Sequence, residues 1–501
     1  MYTCTTLSRR WPDDGTCLGP AGHIGTGPSL VIKSTVFMMM STLARLLTSV
    51  VVFIVMARVW GADVFGVFAY PLAIATVAVM VVDYGFGLQV VRSIGTRPDA
   101  VEQVMLRSVA AKCLLSLLVA GGALVATPWL ADDRGTLALT WLLLVSSLLT
   151  SFALLLNLPF RGLGRFADEA KVVVLASVIH FAVVVVAVAA GAGPLLVAIC
   201  FVLSRACYLL LSLSAYRRLV ARFDWRRLDG WSGLAMLREG LPYGVFVAMG
   251  TLYFQIDTLL VQHYLGSRDV GLFQAGVRLL MGALILPEVI CNVYLPAISG
   301  VAGRNVAETA RLGERMTRHL LMLGVIGLAV FWLGSRWIVS GLYGADYAPV
   351  VPLLPAFGVV LLLRFVASSY GLLLTVGDRQ LVRTAVVSAA FVVSLAVNVL
   401  LIPRYGLRGA VIASVVTHAF LLSAYLWFVV HDLGRWFFDS RNLALLALAA
   451  LAVVIAPLNP VIRLGEGVVI IVATLAAGVK SSEWKRLART VPSFTAEVGP
   501  S

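Results

Sequence analysis

Seven ionisable side chains lie deep inside long apolar segments of this chain. A charged side chain at the centre of a bilayer costs at least ~2.5–3.5 kcal/mol, so it normally faces a cavity or a partner. The set contains five cations and two acids: Arg45, Lys112, Arg205, Arg278, Arg364, Asp257 and Glu288. Guanidinium groups bind phosphate through paired hydrogen bonds and keep their charge when desolvated. We therefore predict a cavity for an anionic substrate group, with the four arginines of this set as its candidate ligands.

Asp257 admits two interpretations. It is either the salt-bridge partner of a cation or part of a site for a coupling ion. Asn398 and Thr417, in two later apolar segments, supply neutral oxygen atoms, and oxygen ligands suit hard cations. The residue types favour an ion-coupling site of Asp257, Asn398 and Thr417, but their spacing does not place the three together.

Lys112, one of the seven, and the buried-segment residue His180 are not predicted to bind the substrate. Lys112 lies toward the end of its segment, where a long aliphatic stem lets the ammonium group reach the interface, so we predict that it snorkels. His180 is predicted to be a packing residue rather than a ligand.

Catalytic and cofactor motifs are absent from the sequence. It contains no GxxxxGK[ST] loop for ATP, no HExxH and no GxSxG. The six cysteines form no CxxC pair and no spacing with histidine that would bind zinc. We therefore expect no cofactor, no metal site and no enzymatic activity.

The composition defines the kind of protein in which these residues lie. Of 501 residues, 60% are hydrophobic and 13% are charged, and the mean hydropathy is +0.95. A soluble domain carries about 45–50% apolar and about 25% charged residues. This excludes a cytoplasmic enzyme, a secreted domain and a disordered scaffold, and indicates an all-α polytopic membrane protein. The net charge of +14 falls on no soluble basic domain, so nucleic acid is not an expected partner.

About 20 apolar residues are needed to cross a bilayer as a helix. On this criterion the chain contains about fourteen spans, which lie near 31–59, 64–91, 104–130, 136–160, 170–191, 194–215, 241–265, 270–298, 318–341, 350–375, 382–402, 408–430, 442–457 and 461–479. They predict two six-helix bundles and an appended pair of helices. The predicted units are a disordered tail (1–30), an N-terminal bundle (31–215), a linker (216–240), a C-terminal bundle (241–430), the last pair (431–480) and a second tail (481–501).

Basic residues predict the orientation of the chain. With the N-terminus inside, the cytoplasmic loops hold 27 Lys and Arg and the external loops hold 5. Cytoplasmic loops normally carry the excess of Lys and Arg. Both termini and the linker are therefore predicted to be cytoplasmic.

Two segments of the chain resemble each other. The sequence Gly61-Ala-Asp-Val-Phe-Gly66 follows span one, and Gly266-Ser-Arg-Asp-Val-Gly271 follows span seven, at an offset of 205 residues. Six spans separate the copies, so both halves have the same orientation. This pattern predicts parallel bundles related by a pseudo-two-fold axis along the membrane normal, an arrangement typical of transporters.

Several blocks between residues 31 and 430 resemble Wzx-type polysaccharide flippases of the multidrug/oligosaccharidyl-lipid/polysaccharide exporter superfamily. They are Trp60–Ala69, Asp83–Leu88 with Arg92, Gln255–Pro296, Leu342–Pro349 and Asn398–Ala410. The resemblance implies two bundles forming a V around a cavity that opens to alternate sides. It implies an undecaprenyl-diphosphate-linked oligosaccharide as substrate, membrane lipids as surroundings, a polysaccharide polymerase as a further partner and the bacterial inner membrane as location. Similarity to lipid II flippases is weaker, so a peptidoglycan precursor is not the expected substrate.

Two alternative functions remain at this point. A multidrug/cation antiporter of the same superfamily should favour acids and aromatics in its cavity, whereas this chain has an excess of intramembrane cations. A membrane-embedded polysaccharide polymerase needs catalytic residues on a substantial external loop, and every predicted external loop is short.

Overall fold

In the computed structural model, the residues described are 28–130, 134–220 and 230–433, with five single positions at 444, 445, 447, 473 and 474. This part of the chain consists of helices and turns without a strand, which confirms the predicted all-α class. The predicted N-terminal tail up to residue 27, residues 221–229 of the linker, and nearly all of the last two predicted spans and the C-terminal tail lie outside the described residues.

The described part contains fourteen α-helices and two short 3-10 turns, Pro98–Ala100 and Ala345–Val350. The helices are α1 (Pro28–Asp83), α2 (Phe86–Thr96), α3 (Val101–Leu130), α4 (Arg134–Gly162), α5 (Phe166–Ala189), α6 (Pro194–Leu219), α7 (Gly230–Leu265), α8 (Ser267–Ala283), α9 (Ile285–Val301), α10 (Val306–Leu333), α11 (Ser335–Leu342), α12 (Leu354–Val376), α13 (Gln380–Tyr405) and α14 (Leu407–Leu433). Ten helical stretches among the described residues are long and apolar enough to cross a membrane.

Helix breaks differ from the predicted span boundaries at several places. The first predicted span and most of the second form the single helix α1, in which Gly61 alone leaves helical geometry, with φ 74°. The second predicted span is broken after Asp83 and continues in α2 from Phe86. The eighth predicted span is divided into α8 and α9 at Leu284, because Pro287 has no N–H to donate and its ring crowds the carbonyl four residues earlier. The ninth is divided at Gly334. Helix α7 begins at Gly230, so residues 230–240 of the predicted linker are helical.

The helices are described as two lobes in chain order, an N-lobe of α1–α6 and a C-lobe of α7–α14. In the N-lobe, α1 packs against α4 and α5, and α4 packs against α6. Edge-on contacts of the Phe201 ring with Phe53 and Phe68 hold α6 against α1. In the C-lobe, α12 packs against α10 and α14, and α13 packs against α7 and α14. Since lipid is as apolar as these side chains, close van der Waals packing rather than the hydrophobic effect holds such helices together.

The two copies of the repeat meet where the lobes touch. A Cβ atom on Gly66 would overlap the Ser267 carbonyl oxygen, and one on Gly271 would overlap the Ala62 carbonyl oxygen. At the 205-residue offset, Gly66 corresponds to Gly271 and Ala62 corresponds to Ser267, so the two approaches are the same contact made twice. Only glycine permits this backbone approach of α1 to α8. We call this contact, on the predicted outer side, the outer junction.

Candidate functional site

A cavity of about 390 Å³ lies between the lobes. The N-lobe contributes wall residues from α1, α4 and α6, and the C-lobe contributes them from α7 and α8. The charged residues among these walls are Asp83, Arg205 and Arg278, and the remaining polar ones carry hydroxyl or amide groups. Because both lobes line the cavity, motion of one lobe against the other changes its shape.

Arg278 and Arg205, two of the predicted anion ligands, lie on the walls of this cavity. Arg278 extends from α8 across to the N-lobe, where its guanidinium carbon is 3.8 Å from the centroid of the Phe53 ring. Its buried Nε has no hydrogen-bond partner among the described residues. Within that same part of the chain, neither guanidinium forms an ion pair. These two arginines therefore present charge and hydrogen-bond donors to whatever enters the cavity.

The other two predicted anion ligands lie elsewhere. Arg45 is on α1, close enough to Arg205 and Tyr208 for charge interaction, but it is not among the wall residues that the structure describes. Arg364 lies on α12 of the C-lobe, with its guanidinium carbon 4.2 Å from the centroid of the Phe254 ring. The structure thus brings Arg205 and Arg278 together and leaves Arg364 in a separate place.

Asp257 is the centre of a buried polar cluster in the C-lobe. Its Oδ1 accepts hydrogen bonds from Ser394 Oγ at 3.0 Å and from Asn398 Nδ2 at 2.8 Å. Its Oδ2 accepts one from Ser414 Oγ at 2.8 Å. The cluster joins α7, α13 and α14. No arginine or lysine pairs with Asp257 among the described residues, so the structure gives no salt bridge of this carboxylate there, and the ion-coupling site stays a prediction.

Of the two predicted partners of Asp257, one contacts it and the other does not. Asn398 contacts Asp257 directly, and its own Oδ1 is buried without a hydrogen-bond partner in the described part. Thr417 does not contact Asp257, because its hydroxyl donates to the Ala413 carbonyl at 2.8 Å. Sequence reasoning missed Ser394 and Ser414. A helical spacing of four places Ser394 on the face of Asn398, and a spacing of three places Ser414 near Thr417.

Lys112 does not snorkel. Only 2% of the residue is exposed, and its Nζ donates to Asp83 Oδ1 at 3.0 Å and to the Ser151 carbonyl at 2.9 Å. The rings of Phe86 and Phe152 flank the ammonium group at 5.8 and 5.7 Å. The predicted interfacial lysine is instead the buried partner of a carboxylate on the cavity wall. His180 is buried against Phe201 and contacts Ser204 Oγ at 2.8 Å, which confirms its packing role.

Ionic contacts reinforce the outer junction. The Arg268 guanidinium on α8 lies 2.5 Å from Asp63 Oδ2 on α1 and 3.0 Å from Asp346 Oδ1 on the turn before α12. Because Gly61 interrupts α1, the N–H of Ala62 starts a new helical segment and needs an acceptor. Asp346 Oδ2 accepts it at 2.5 Å. One carboxylate from the C-lobe therefore caps a helix of the N-lobe.

The lobes also meet on the predicted cytoplasmic side. Gln89 Nε2 on α2 donates to the Met236 carbonyl on α7 at 3.2 Å. A Cβ atom on Gly233 of α7 would lie 2.7 Å from the backbone nitrogen of Ala111 on α3. With contacts at both ends, the structure holds the cavity between two junctions.

The described helices and the cavity between the lobes define the fold of a polytopic membrane protein. The structure is similar to that of the lipid II flippase MurJ in an inward closed conformation, with a TM-score of 0.67 at 13% identity, over 91% of this chain and 100% of that one. It is similar to an inward-facing multidrug resistance MATE family transporter, with a TM-score of 0.63 at 16% identity, over 80% and 99%. A transporter of the same superfamily from Pyrococcus furiosus has a TM-score of 0.57 at 15% identity, over 81% and 96%.

The family follows from the sequence. Residues 31–301, more than half of the chain, match the family described as polysaccharide biosynthesis protein, and the chain belongs to that family. No curated protein matches the sequence significantly. The match and the shared fold confirm the resemblance to Wzx-type flippases and the predicted exporter fold. The chain therefore has the fold of these solved transporters, and ten of its described helical stretches are long and apolar enough to cross a membrane.

Proposed function

We propose that this protein is a flippase for undecaprenyl-diphosphate-linked oligosaccharide repeat units in the bacterial inner membrane. The repeat units would serve synthesis of a surface polysaccharide such as O-antigen, capsule or exopolysaccharide. The observation that carries the proposal is the presence of Arg205 and Arg278, without carboxylate partners among the described residues, in a cavity between two lobes. A diphosphate would supply the negative counter-charge for these two guanidinium groups.

The chain's own residues suggest how the substrate is handled. Arg278 belongs to the C-lobe and Arg205 to the N-lobe, so a diphosphate bound to both would bridge the lobes. The Phe53 ring restricts the Arg278 guanidinium and favours one orientation of its donors. The polyprenyl tail would stay in lipid while rocking of the lobes presents the head group to the other side. No covalent step is needed, and we propose that the protein is not an enzyme.

Asp257 supports ion coupling of this transport. A carboxylate surrounded by Ser394, Asn398 and Ser414 offers several oxygen atoms at one point inside the C-lobe. Protonation or binding of a small cation there would change how α7, α13 and α14 pack. Thr417, on the same helix as Ser414, remains a candidate through rotation of its side chain.

Both termini are proposed to be cytoplasmic, since this orientation places 27 basic residues inside and 5 outside. Membrane-impermeant labelling of a single cysteine introduced at Arg404, an exposed position on the predicted outer side, tests it. Labelling from the outside supports the orientation, and labelling only after permeabilisation overturns it.

Deletion of the gene, followed by analysis of lipid-linked sugars in spheroplasts, tests the function. Accumulation of complete repeat units on the cytoplasmic face is the expected result. Complete but unpolymerised units outside would instead identify a polymerase and overturn the proposal. Complementation with Arg278→Gln should fail, whereas Arg336→Gln, which changes an exposed arginine on α11, should restore export.

A multidrug/cation antiporter is the second candidate, and the Asp257 cluster is the observation that favours it. The two assays separate the candidates. Efflux of a cationic dye that depends on Asp257, with normal lipid-linked sugars in the deletion strain, would replace the flippase by the antiporter. The arginines of the cavity argue against this outcome, because they repel a cationic substrate.

A further inference from the structure

We propose that the wall of the cavity formed by Asp83, Thr76, Thr150 and Gln274 is a binding site for sugar hydroxyl groups. We call these four residues the acceptor wall. The inference rests on the proposed function and deepens it, because it assigns the glycan and the diphosphate of one substrate to different walls of one cavity. All four residues lie among the cavity's walls, together with Arg205 and Arg278.

Asp83 has one oxygen committed to the protein and one available. Its Oδ1 accepts from Lys112 Nζ at 3.0 Å and also from the Ser151 hydroxyl. Its Oδ2 has no partner among the described residues, 41% of the side chain is exposed, and the residue is part of the cavity lining. Lys112 itself is buried and bonded, so it holds the carboxylate in place without reaching the ligand. The pair carries no net charge and does not repel a neighbouring diphosphate.

The other members of the wall also present acceptors. The hydroxyls of Thr76 and Thr150 donate to the carbonyls four residues earlier, at 2.8 and 2.9 Å. A hydroxyl whose proton is used in this way keeps its oxygen lone pairs for a ligand. Gln274, only 4% exposed, donates through Nε2 to Thr258 Oγ1 at 2.8 Å. Its Oε1 is buried and has no hydrogen-bond partner among the described residues.

The polarity of these groups selects the ligand. A phosphate oxygen only accepts hydrogen bonds, so it binds the guanidinium donors of Arg205 and Arg278 and is not attracted to the acceptor wall. A sugar hydroxyl donates, and an ionised or amide oxygen is a strong acceptor for it. A metal cation would also suit oxygen atoms, but Lys112 Nζ lies 3.0 Å from Asp83 Oδ1 and repels it. A neutral polyol is the ligand that fits both observations.

The experiment compares two probes on the purified full-length protein in nanodiscs. One probe is undecaprenyl diphosphate, and the other is undecaprenyl diphosphate carrying a single hexose. The wild type should bind the glycosylated probe more tightly than the bare one. Asp83→Asn should reduce the affinity for the glycosylated probe relative to the bare probe about tenfold, because a hydrogen bond to a charged group is lost, whereas the change in cavity charge acts on the diphosphate that both probes share. Asp378→Asn, at an exposed turn between α12 and α13, is the matched control and should bind both probes like the wild type.

Each outcome has a distinct meaning. If the wild type binds neither probe, the proposed function fails. If both probes bind equally well, or if Asp83→Asn weakens both equally, the acceptor wall is overturned while the flippase stands. Because Asp83→Asn leaves Lys112 buried without its partner, Gln274→Leu and the double variant Asp83→Asn/Lys112→Gln provide the same comparison without that unpaired charge. Retention of the glycosylated probe's advantage in both of these variants also overturns the inference.

Discussion

Replacement of Gly271 by alanine tests the outer junction with the smallest available change. The glycine lies in helical geometry within α8, so alanine suits its backbone. The added Cβ would overlap the Ala62 carbonyl oxygen, which belongs to the backbone of the other lobe. Removing that overlap requires the two atoms to separate by about 1.5–2 Å, because non-bonded heavy atoms pack at about 3.5–4 Å.

The size of the effect follows from the location of the overlap. Inserting a methyl group into a close-packed contact costs about 1–3 kcal/mol. The penalty applies only to states in which α1 and α8 touch, and states with separated outer ends escape it. An energy of 1–3 kcal/mol corresponds to a shift of about 5- to 150-fold in a conformational equilibrium. Gly271→Ala should therefore populate the outward-open state. Gly66→Ala, which meets the Ser267 carbonyl, should have the same effect.

Spin labels across the junction provide the measurement. Cysteines introduced at Val59 and Leu342, both exposed, flank the contact in which Arg58 donates to the Gly341 carbonyl. The measurement uses a background without the six natural cysteines. In nanodiscs, pulsed electron–electron double resonance should show a population with a longer distance between the two spin labels for Gly271→Ala. Gly122→Ala is the matched control, because no heavy atom lies within 4 Å of its added Cβ.

The distance distributions of the two variants decide whether the lobes are in backbone contact. If Gly271→Ala and Gly122→Ala give the same distance distribution, the lobes are not in backbone contact at this point. The double variant Gly66→Ala/Gly271→Ala adds a second criterion. Once the first methyl group has separated the helices, the second meets little resistance, so its effect should be less than additive.

Three further predictions concern single side chains. Phe53→Leu removes the ring beside the Arg278 guanidinium. Loss of a cation–π contact of about 0.5–2 kcal/mol predicts roughly 2- to 30-fold weaker binding of undecaprenyl diphosphate. Unchanged affinity would show that the ring does not position the guanidinium. Asp257→Asn should abolish the response of vesicle transport to an imposed proton or sodium gradient, and a preserved response would remove Asp257 from coupling. Asp346→Ala should lower the free energy of unfolding by about 1–2 kcal/mol, because it leaves the buried N–H of Ala62 without an acceptor. Thermal unfolding measures this, with Asp378→Asn as the control variant. Equal unfolding midpoints for the two variants would contradict the prediction.

The sequence identified charged residues whose burial in a membrane costs free energy. The structure shows why this criterion finds only some of the residues that line the cavity. Arg205 and Arg278 are conspicuous because no apolar segment tolerates a guanidinium without a reason. Whether two such residues face the same cavity depends on how separate helices pack. For that reason Arg364 has the same signature in sequence but lies on α12, outside the described cavity walls and over the Phe254 ring.

Pairing between distant helices was the information that the sequence lacked. Lys112 and Asp83 are 29 residues apart, so nothing local distinguishes a snorkelling lysine from a buried ion pair. Asn398 contacts Asp257, which the spacing in sequence could not place beside it, whereas Thr417 turns its hydroxyl to its own backbone. A serine or threonine in a helix always has that local alternative, and the neighbouring helices decide between the two.

Charge in the cavity has an electrical consequence for the transport cycle. Asp83 and Lys112 cancel, so Arg205 and Arg278 leave a net charge of +2 on the described walls. A diphosphate joined to a lipid and a sugar carries about two negative charges, one on each phosphate. With the proposed diphosphate substrate bound, the cavity would be neutral, whereas the empty cavity is doubly positive. A full crossing of the membrane is worth about 2.3 kcal/mol per charge per 100 mV. Under the proposed function, an inside-negative voltage would therefore act on the empty carrier and favour its return toward the cytoplasm, while the step that carries the substrate outward would be nearly independent of voltage.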